Sequence, residues 1–173
     1  MAGSLIKIDE EIVTSAVASV TLGGSDWDSS YDVYMVRHNN VLSDTDGSLL
    51  SVRFTVSGTP DTSANYDRAF KVLDASTTFS QAGDSNNTSL LLDFLGTAGN
   101  EQHNGIFYCF NFNNASEYSF ITLETTEIRD TGVHRGLQGG TVLTVAQATD
   151  GIHFFVSSGN ITSGTFTLYG LKK

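Results

Sequence analysis

The sequence predicts an all-β protein, an antiparallel β-sandwich or barrel, and three observations lead to this prediction. Turn-forming and small polar residues are abundant, since the 173 residues include 17 Gly, 20 Ser, 20 Thr and 11 Asn. Strand-forming residues lie between them, among them 11 Phe and 6 Tyr. Short β-favouring runs recur about every 10 to 20 residues, and no stretch shows a clear helical period.

Four strands are predicted in the amino-terminal half. Glu11–Leu22 could be read as a helix, but its recurring Thr, Val and Ile and the following Gly23-Gly24 favour a strand. Asp32–Arg37 is apolar at its four central positions, as in a strand buried on both faces. Ser51–Ser57 alternates apolar and polar residues, which is typical of a half-buried strand. Tyr66–Leu73 completes this half.

The middle of the chain alternates predicted loops and strands. The polar span Ser80–Ser89 is predicted to be a long exposed loop, and Gly96–Gly105 a second loop. Leu90–Leu95, apolar apart from one Asp, lies between them as a strand. Ile106–Phe112 is the most aromatic segment, so we expect it at the centre of the core, and a short turn joins it to Tyr118–Leu123 as a hairpin.

The carboxy-terminal part begins with Thr126–Gly140, whose charged residues and glycines predict a loop. Three strands then follow at Thr141–Val145, Ile152–Val156 and Thr165–Leu171. The sandwich therefore has about 8 to 10 strands. Neither a repeat nor a linker divides the chain, so residues 1–173 are expected to form one domain, with residues 1–12 as an anchoring arm.

Charge and composition disfavour several classes of protein. The net charge of −10 and the lack of clustered Lys and Arg argue against a nucleic-acid binder and a polybasic membrane-surface module. No apolar stretch approaches the length of a membrane span, and the first residues do not read as a secretory leader. The lone Cys109 cannot form an intrachain disulfide, and a free thiol agrees with a reducing compartment.

Motifs for catalysis or cofactor binding are absent from the sequence. The four histidines share no metal-ligand spacing, and His153 is expected to be a partly exposed or interface residue. Cys109 stands among aromatic residues and is predicted to pack in the core. No GxSxG elbow occurs, and sequence spacing alone cannot place two carboxylates across a glycosidase cleft. We therefore expect no catalytic residue and no cofactor.

Two local features leave alternatives open. Asp44-Thr45-Asp46-Gly47 resembles the start of an acidic Ca²⁺ loop but lacks the completing Glu, so Asp44 and Asp46 are either metal ligands or part of a solvated turn, which we favour. Trp27, with Tyr31 close by, either stacks on a sugar or anchors a corner of the sandwich, and the corner is the simpler interpretation.

Three segments together resemble a known family: SDWDSSYDVY at Ser25–Tyr34, SVRFTVSGTP at Ser51–Pro60, and SSGNITSGTFTLYGLKK at Ser157–Lys173. They are similar to small structural proteins of tailed phages, especially marine and cyanobacterial ones. The resemblance implies a jelly-roll-type domain and a virion component assembled in the host cytoplasm. It covers both capsid-exterior proteins and tail fibres, and it carries over no site residues.

These observations lead to three hypotheses. The first is a non-enzymatic decoration or cement protein on the capsid exterior, a homo-oligomer that contacts other virion proteins and hides its sheet edges against neighbouring copies. Its expected anchors are the apolar residues near the two chain ends: Leu5, Ile6, Ile8, Ile12, Phe166, Leu168 and Tyr169. The second is a tail-fibre, spike or baseplate module that binds a host surface glycan through Trp27, Tyr31 and the Ser80–Asn87 loop. The third is a glycan hydrolase or lyase in the same position.

Overall fold

The computed structural model describes residues 4–76 and 79–171, and within them it is almost entirely β-structure, which confirms the predicted fold class. One 3₁₀ turn lies at Gly24–Asp26. The strands are β1 Leu5–Val13, β2 Ser19–Gly23, β3 Val33–Ser43, β4 Ser48–Val56, β5 Thr59–Pro60, β6 Tyr66–Asp74, β7 Ser80–Asn87, β8 Leu90–Leu95, β9 His103–Phe110, β10 Ser119–Ile128, β11 His134–Leu143, β12 Gly151–Val156 and β13 Ile161–Leu171. No helix in the described residues is long and apolar enough to cross a membrane.

The strands form two antiparallel sheets with jelly-roll connections. The large sheet has the order β1-β13-β3-β9-β10-β11-β6-β7, and the small sheet has the order β2-β12-β4-β5, with β8 also paired to β4. Without β5–β7 and β10–β11, the sheets reduce to β1-β13-β3-β9 and β2-β12-β4-β8. In this arrangement successive strands change sheet at every connection except β4 to β8, which is the strand order of a jelly roll. The jelly-roll expectation from the resemblance is therefore correct in its topology.

Four additional strands widen the large sheet beyond the jelly roll. β10 and β11 pair beside β9, and β6 and β7 continue the sheet to its far edge. The small sheet is narrower, with five strands against eight, yet inward side chains of the added strands, such as Phe70 and Leu137, are buried in the core. The insertions thereby create a broad outer surface on the large sheet.

The core lies between the two sheets and follows from alternation along the strands. Val52 and Phe54 of β4 point inward from the small sheet, and Phe107 and Cys109 of β9 point inward from the large sheet. The ring of Phe154 packs at 4.9 Å from that of Phe166 across the interface between the sheets. The core placement predicted for Cys109 is confirmed, and burial raises the pKa of its thiol.

Three boundary predictions were wrong. The predicted strand Glu11–Leu22 is two strands, because β1 ends at Val13 and β2 begins at Ser19 in the other sheet. The predicted loop Ser80–Ser89 is mostly β7, an edge strand that needs no apolar side chains because most of its residues are exposed. The predicted loop Thr126–Gly140 contains the end of β10 and most of β11, and glycines are tolerated there because the backbone pairs on both sides.

The described part of the predicted amino-terminal arm is a strand of the large sheet. β1 pairs along its length with β13, from Leu5 opposite Leu171 to Val13 opposite Gly164. A β-bulge interrupts the register between Lys7 and Asp9. Leu5 and Leu171, near the two ends of the described residues, therefore lie opposite each other at one edge of the sandwich.

Candidate interaction surface

The outer face of the large sheet carries a group of apolar side chains that the core does not use. Alternation along β9 sends Phe107 and Cys109 inward and Ile106, Tyr108 and Phe110 outward. The aromatic segment that was expected at the centre of the core is therefore divided between the core and the surface. On β10, Phe120 also faces outward, directly opposite Phe110.

We call this surface the aromatic face and define it by Ile106, Tyr108, Phe110 and Phe120 with the flanking Val33, Met35 and Val142. Ile106, Tyr108 and Phe120 are each about 40% exposed, at 40%, 42% and 41%. The register places Val33, Phe110, Phe120 and Val142 in one row across four strands, so the apolar side chains are neighbours. A contiguous exposed apolar group on a soluble domain marks an interaction site more often than a random surface does.

Polar and charged side chains border the aromatic face. A second row crosses the sheet as Arg37, Ile106, Glu124, Gln138 and Lys71, in register order. The Gln138 amide donates a hydrogen bond to Glu124 Oε1 at 2.8 Å, which holds the two side chains together. The border therefore offers both signs of charge and several hydrogen-bonding groups around an apolar centre, as in a protein interface.

Two shallow grooves indent this face. The first, of about 390 Å³, lies between Tyr108 and Gln138 and is also lined by Ile106, Thr122 and Glu124. The second, also of about 390 Å³, is lined by Phe120 and Val142 together with Ala69 and Gly140. Small residues in the strands beside bulky ones create these depressions, because Ala69 and Gly140 leave space next to the ring of Phe120.

A second cluster, the buried polar chain, runs from the core to one end of the sandwich. His38 Nε2 lies 2.9 Å from His103 Nδ1, and His103 Nε2 lies 3.4 Å from Glu127 Oε2. Both imidazoles are fully buried. Asp93 of β8 ends the chain: its carboxylate lies 2.9 Å from Arg135 Nε and 3.3 Å from Arg129 Nε. Through Asp93, the buried polar chain links the large sheet to the small sheet.

Burial determines the protonation of the two histidines and of Glu127 in the buried polar chain. It lowers the pKa of His103 to about 3 and that of His38 well below its usual value, with His103 adding to the effect on His38. Burial also raises the pKa of Glu127 to about 9, with a further contribution from the carboxylate of Asp93. At neutral pH both histidines are therefore uncharged, and Glu127 keeps its proton. Because both histidines are fully buried, a solute cannot reach them without opening the sandwich.

The residues predicted as anchors fall into two groups. Leu5, Ile6 and Ile12 are exposed on the edge strand β1, Ile8 packs partly against the core, and Tyr169 is half-buried on β13. Phe166 and Leu168 are fully buried between the sheets, which corrects their assignment as contact residues. Their alternation with Thr165, Thr167 and Tyr169 puts them on the inward face of β13, so they stabilise the protomer itself.

Trp27, one of the two residues predicted to contact a glycan, is not on the surface. Trp27 is 2% exposed and stacks on Tyr34 and Phe112 at ring-centroid distances of 4.4 and 4.8 Å. Tyr31 is half-buried and meets Tyr34 edge-on. The corner-anchor interpretation of Trp27 is therefore the correct one, and the glycan-contact assignment of Trp27 is wrong.

The acidic turn also has a structural role in this fold. Asp44 accepts hydrogen bonds from the backbone N–H and the side-chain amide of Asn160 at 2.8 and 2.9 Å, and these bonds lower its pKa. Asp46 is exposed in the same turn. In the described ranges no three or more His, Cys, Asp or Glu side chains are arranged to hold a metal ion. His153 is half-buried, as expected, and hydrogen-bonds to the Thr21 hydroxyl at 2.8 Å.

Sequence reasoning missed both the aromatic face and the buried polar chain. The face was visible in principle, because the alternation of Ile106–Phe112 puts every second residue on the opposite side of the strand. Glu127 was also within reach: continuing the alternation Ile121, Leu123, Thr125 places it on the inward side of β10. The contact between His38 and His103 had no local signal, since it depends on the pairing of β3 with β9.

Comparisons with known proteins add little to this geometry. No protein-family model matches the chain, and no curated protein matches it. Among solved structures, one match is the CBM2 module of the evolved Dit of Lactobacillus casei BL23 phage J-1. The alignment has a TM-score of 0.28 and 11% sequence identity, and it covers 90% of this chain and 69% of that one. At that score and identity, no property of the module is carried over to this chain.

Proposed function

We propose that this protein is a non-enzymatic structural component of a phage virion that binds another virion subunit through the aromatic face. The observation that carries the proposal is the apolar group on the outer face of the large sheet, in which Ile106, Tyr108 and Phe120 are each about 40% exposed. The resemblance of three sequence segments to phage structural proteins supports the virion setting. Capsid decoration remains the form of this role that we favour, with the protein acting by contact alone.

The chemistry of the face indicates the kind of partner. Its centre is apolar and aromatic, and its border carries Arg37 and Lys71 as well as Glu124. A partner with an apolar patch edged by both signs of charge would desolvate the centre and pair with the border. Burying three large side chains that are now about 40% exposed would contribute several kcal/mol to such a contact.

The substitution Phe120→Ser tests the role of the aromatic face. Because the side chain is 41% exposed, we expect the variant to fold, yet to lose at least tenfold in the number of copies retained per purified particle. The measurement is quantitative immunoblotting of particles assembled with the variant. Phe94→Ser is the matched control, since Phe94 is 38% exposed but lies on the small sheet. Equal retention of both variants would contradict the proposal.

The position of the protein in the particle separates decoration from a tail role. Electron microscopy of particles labelled with an antibody against this chain would show many copies over the head for a decoration protein. Label confined to the tail would instead support a fibre, spike or baseplate module.

One observation favours glycan binding as a second candidate function. The groove beside Tyr108 combines an aromatic ring with the hydrogen-bonded pair Glu124 and Gln138 and the Thr122 hydroxyl. Aromatic rings pack against the apolar faces of sugars, while carboxylate, amide and hydroxyl groups pair with sugar hydroxyls. This groove, rather than the buried Trp27, is where a host surface glycan would bind.

The substitution Tyr108→Ala tests the glycan candidate. If the groove binds a glycan, the variant should lose roughly tenfold in affinity for host surface polysaccharide, because the ring supplies the packing surface. Isothermal titration with purified polysaccharide gives the affinity. Tyr118→Ala is the control, since Tyr118 is 45% exposed and does not line the groove. No measurable binding by the unmodified protein would exclude this candidate.

A further inference from the structure

The edge strand β1 has one side with which no described strand pairs. β1 is the first strand of the large sheet and pairs only with β13 among the described strands. Its exposed apolar residues include Leu5 and Ile12, which are 48% and 58% exposed. Exposed edges of this length are normally covered or blocked, because they can accept another strand.

We propose that β1 pairs with β1 of a second copy in one antiparallel register, in which Leu5 lies opposite Ile12 and Lys7 lies opposite Glu10. The two-fold axis passes between Ile8 and Asp9, so each of these pairs occurs twice. Each copy contributes the same residues, as an isologous contact requires. The pairing joins two exposed apolar side chains and two opposite charges on each half of the contact.

The bulge in β1 explains why this register matches side chains on the same face of the sheet. In the pairing with β13, Lys7 lies opposite Tyr169 and Glu10 lies opposite Thr167, and both partners belong to the outer face. The extra residue between Lys7 and Asp9 shifts the alternation by one position. Leu5, Lys7, Glu10 and Ile12 therefore all point outward, which an unbroken strand would not allow.

Charge selects this register over its neighbours. Within one protomer, Lys7 Nζ lies 3.0 Å from Glu10 Oε1, so the two charges already lie side by side on the outer face. In the proposed register each Lys7 also meets Glu10 of the second copy. Sliding the strands so that Lys7 lies opposite Ile12 removes this ion pair. It also puts the outward-facing Glu10 opposite Asp9 of the second copy, which faces inward like its partner Leu168, so the faces no longer match.

The dimer would present two aromatic faces in one direction. Pairs of outward side chains on a shared edge require a two-fold axis perpendicular to the sheet, so the outer faces of both large sheets lie on the same side. This consequence rests on the proposed function, because two parallel binding faces raise avidity only if the aromatic face binds a partner. The β1 contact itself does not depend on that role.

Charge-reversal variants of the full-length chain test the contact. Lys7→Glu places Glu opposite Glu, and Glu10→Lys places Lys opposite Lys, so each variant alone should raise the dimer dissociation constant at least tenfold in analytical ultracentrifugation. An equimolar mixture should recover a heterodimer, because each residue then meets an opposite charge in the other chain. The ion pair within the protomer cannot produce this rescue. A monomeric unmodified protein, or a mixture that stays monomeric, would overturn the proposal.

Cysteine cross-linking fixes the register independently. A mixture of Leu5→Cys and Ile12→Cys should form an intermolecular disulfide on mild oxidation, whereas Ile6→Cys with Ile12→Cys should not, because Ile6 lies on the other face of β1. The native Cys109 is fully buried and does not compete. Equal cross-linking of both mixtures would contradict the register. If Phe120→Ser reduces particle retention but the β1 cross-link still forms, the dimer contact does not depend on the binding role of the aromatic face.

Discussion

Replacing Asp93 by alanine is expected to lower the free energy of unfolding by about 3 kcal/mol or more. The carboxylate of Asp93 is almost fully buried and lies within 3.3 Å of the guanidinium groups of both Arg129 and Arg135. It also accepts a hydrogen bond from the Phe94 backbone N–H at 2.8 Å. Removing it takes away the carboxylate that pairs with Arg135 and leaves Arg129 only the more distant Asp130, 3.7 Å from its Nε, at this partly buried end of the sandwich.

The control for this substitution is Asp84→Ala. Asp84 also forms an ion pair with an arginine, at 2.8 Å from Arg68 Nε, but its side chain is 35% exposed at the edge of the large sheet. Exposed ion pairs contribute about 0 to 1 kcal/mol, so the control should be mildly destabilised at most. Urea denaturation of the three proteins at pH 7 measures the difference. Equal destabilisation by both substitutions would show that the buried ion pairs of Asp93 stabilise the fold no more than an exposed ion pair does.

The sequence predicted the fold class well because the signals for it are local. Alternation in Ser51–Ser57 and in Ile152–Val156 requires only neighbouring residues, and both runs are strands in the structure. The predicted loops at Ser80–Ser89 and Thr126–Gly140 failed for the opposite reason. β7 and β11 are rich in polar residues or glycine, and their strand conformation comes from pairing with distant segments.

The surface assignments were harder to make because they depend on which side of a strand faces the core. Trp27 was considered as a surface residue because tryptophan can bind sugars, yet the corner formed by Tyr34 and Phe112 encloses it. Phe166 and Leu168 were assigned to contacts because they lie near a chain end, whereas β13 is central between β1 and β3. Tyr108 and Phe120 became visible as a surface only when the register of β9 and β10 was known.

The stability of the protein should depend on pH in a way that the buried polar chain dictates. Folded Glu127 has a pKa of about 9, compared with its ordinary value of 4.5, so between these values the folded state keeps a proton that the unfolded state releases. Stability therefore falls as pH rises through this range, by about 1.4 kcal/mol per pH unit for one proton. The repulsion that appears when Glu127 ionises involves Asp93, while Arg135 and a hydrogen bond with Thr125 partly offset it.

The two histidines act in the opposite direction. In the folded state the pKa of His103 is about 3 and the pKa of His38 is also well below the ordinary value of 6.5. Below pH 6.5 the unfolded state therefore binds protons at these histidines that the folded state does not bind. Their contribution to stability is fully present above pH 6.5 and falls as the pH drops toward 3. Between pH 4.5 and 6.5 the unfolded state binds a proton at each of the two histidines, whereas the folded state binds one at Glu127, so stability falls as the pH drops. We therefore expect maximum stability near pH 6.5, with losses on both sides.

Glu127→Gln tests this account because glutamine keeps the size and hydrogen-bonding capacity of a protonated glutamic acid but cannot ionise. The variant should lose the decline in stability between pH 6.5 and 9 and retain the acid decline that the histidines cause. Glu124→Gln, exposed on the outward side of the same strand, should leave the whole profile unchanged. Urea denaturation at half-unit pH intervals gives the slopes. An alkaline decline that persists in Glu127→Gln would mean that another group, not the carboxyl between His103 and Asp93, carries the buried proton.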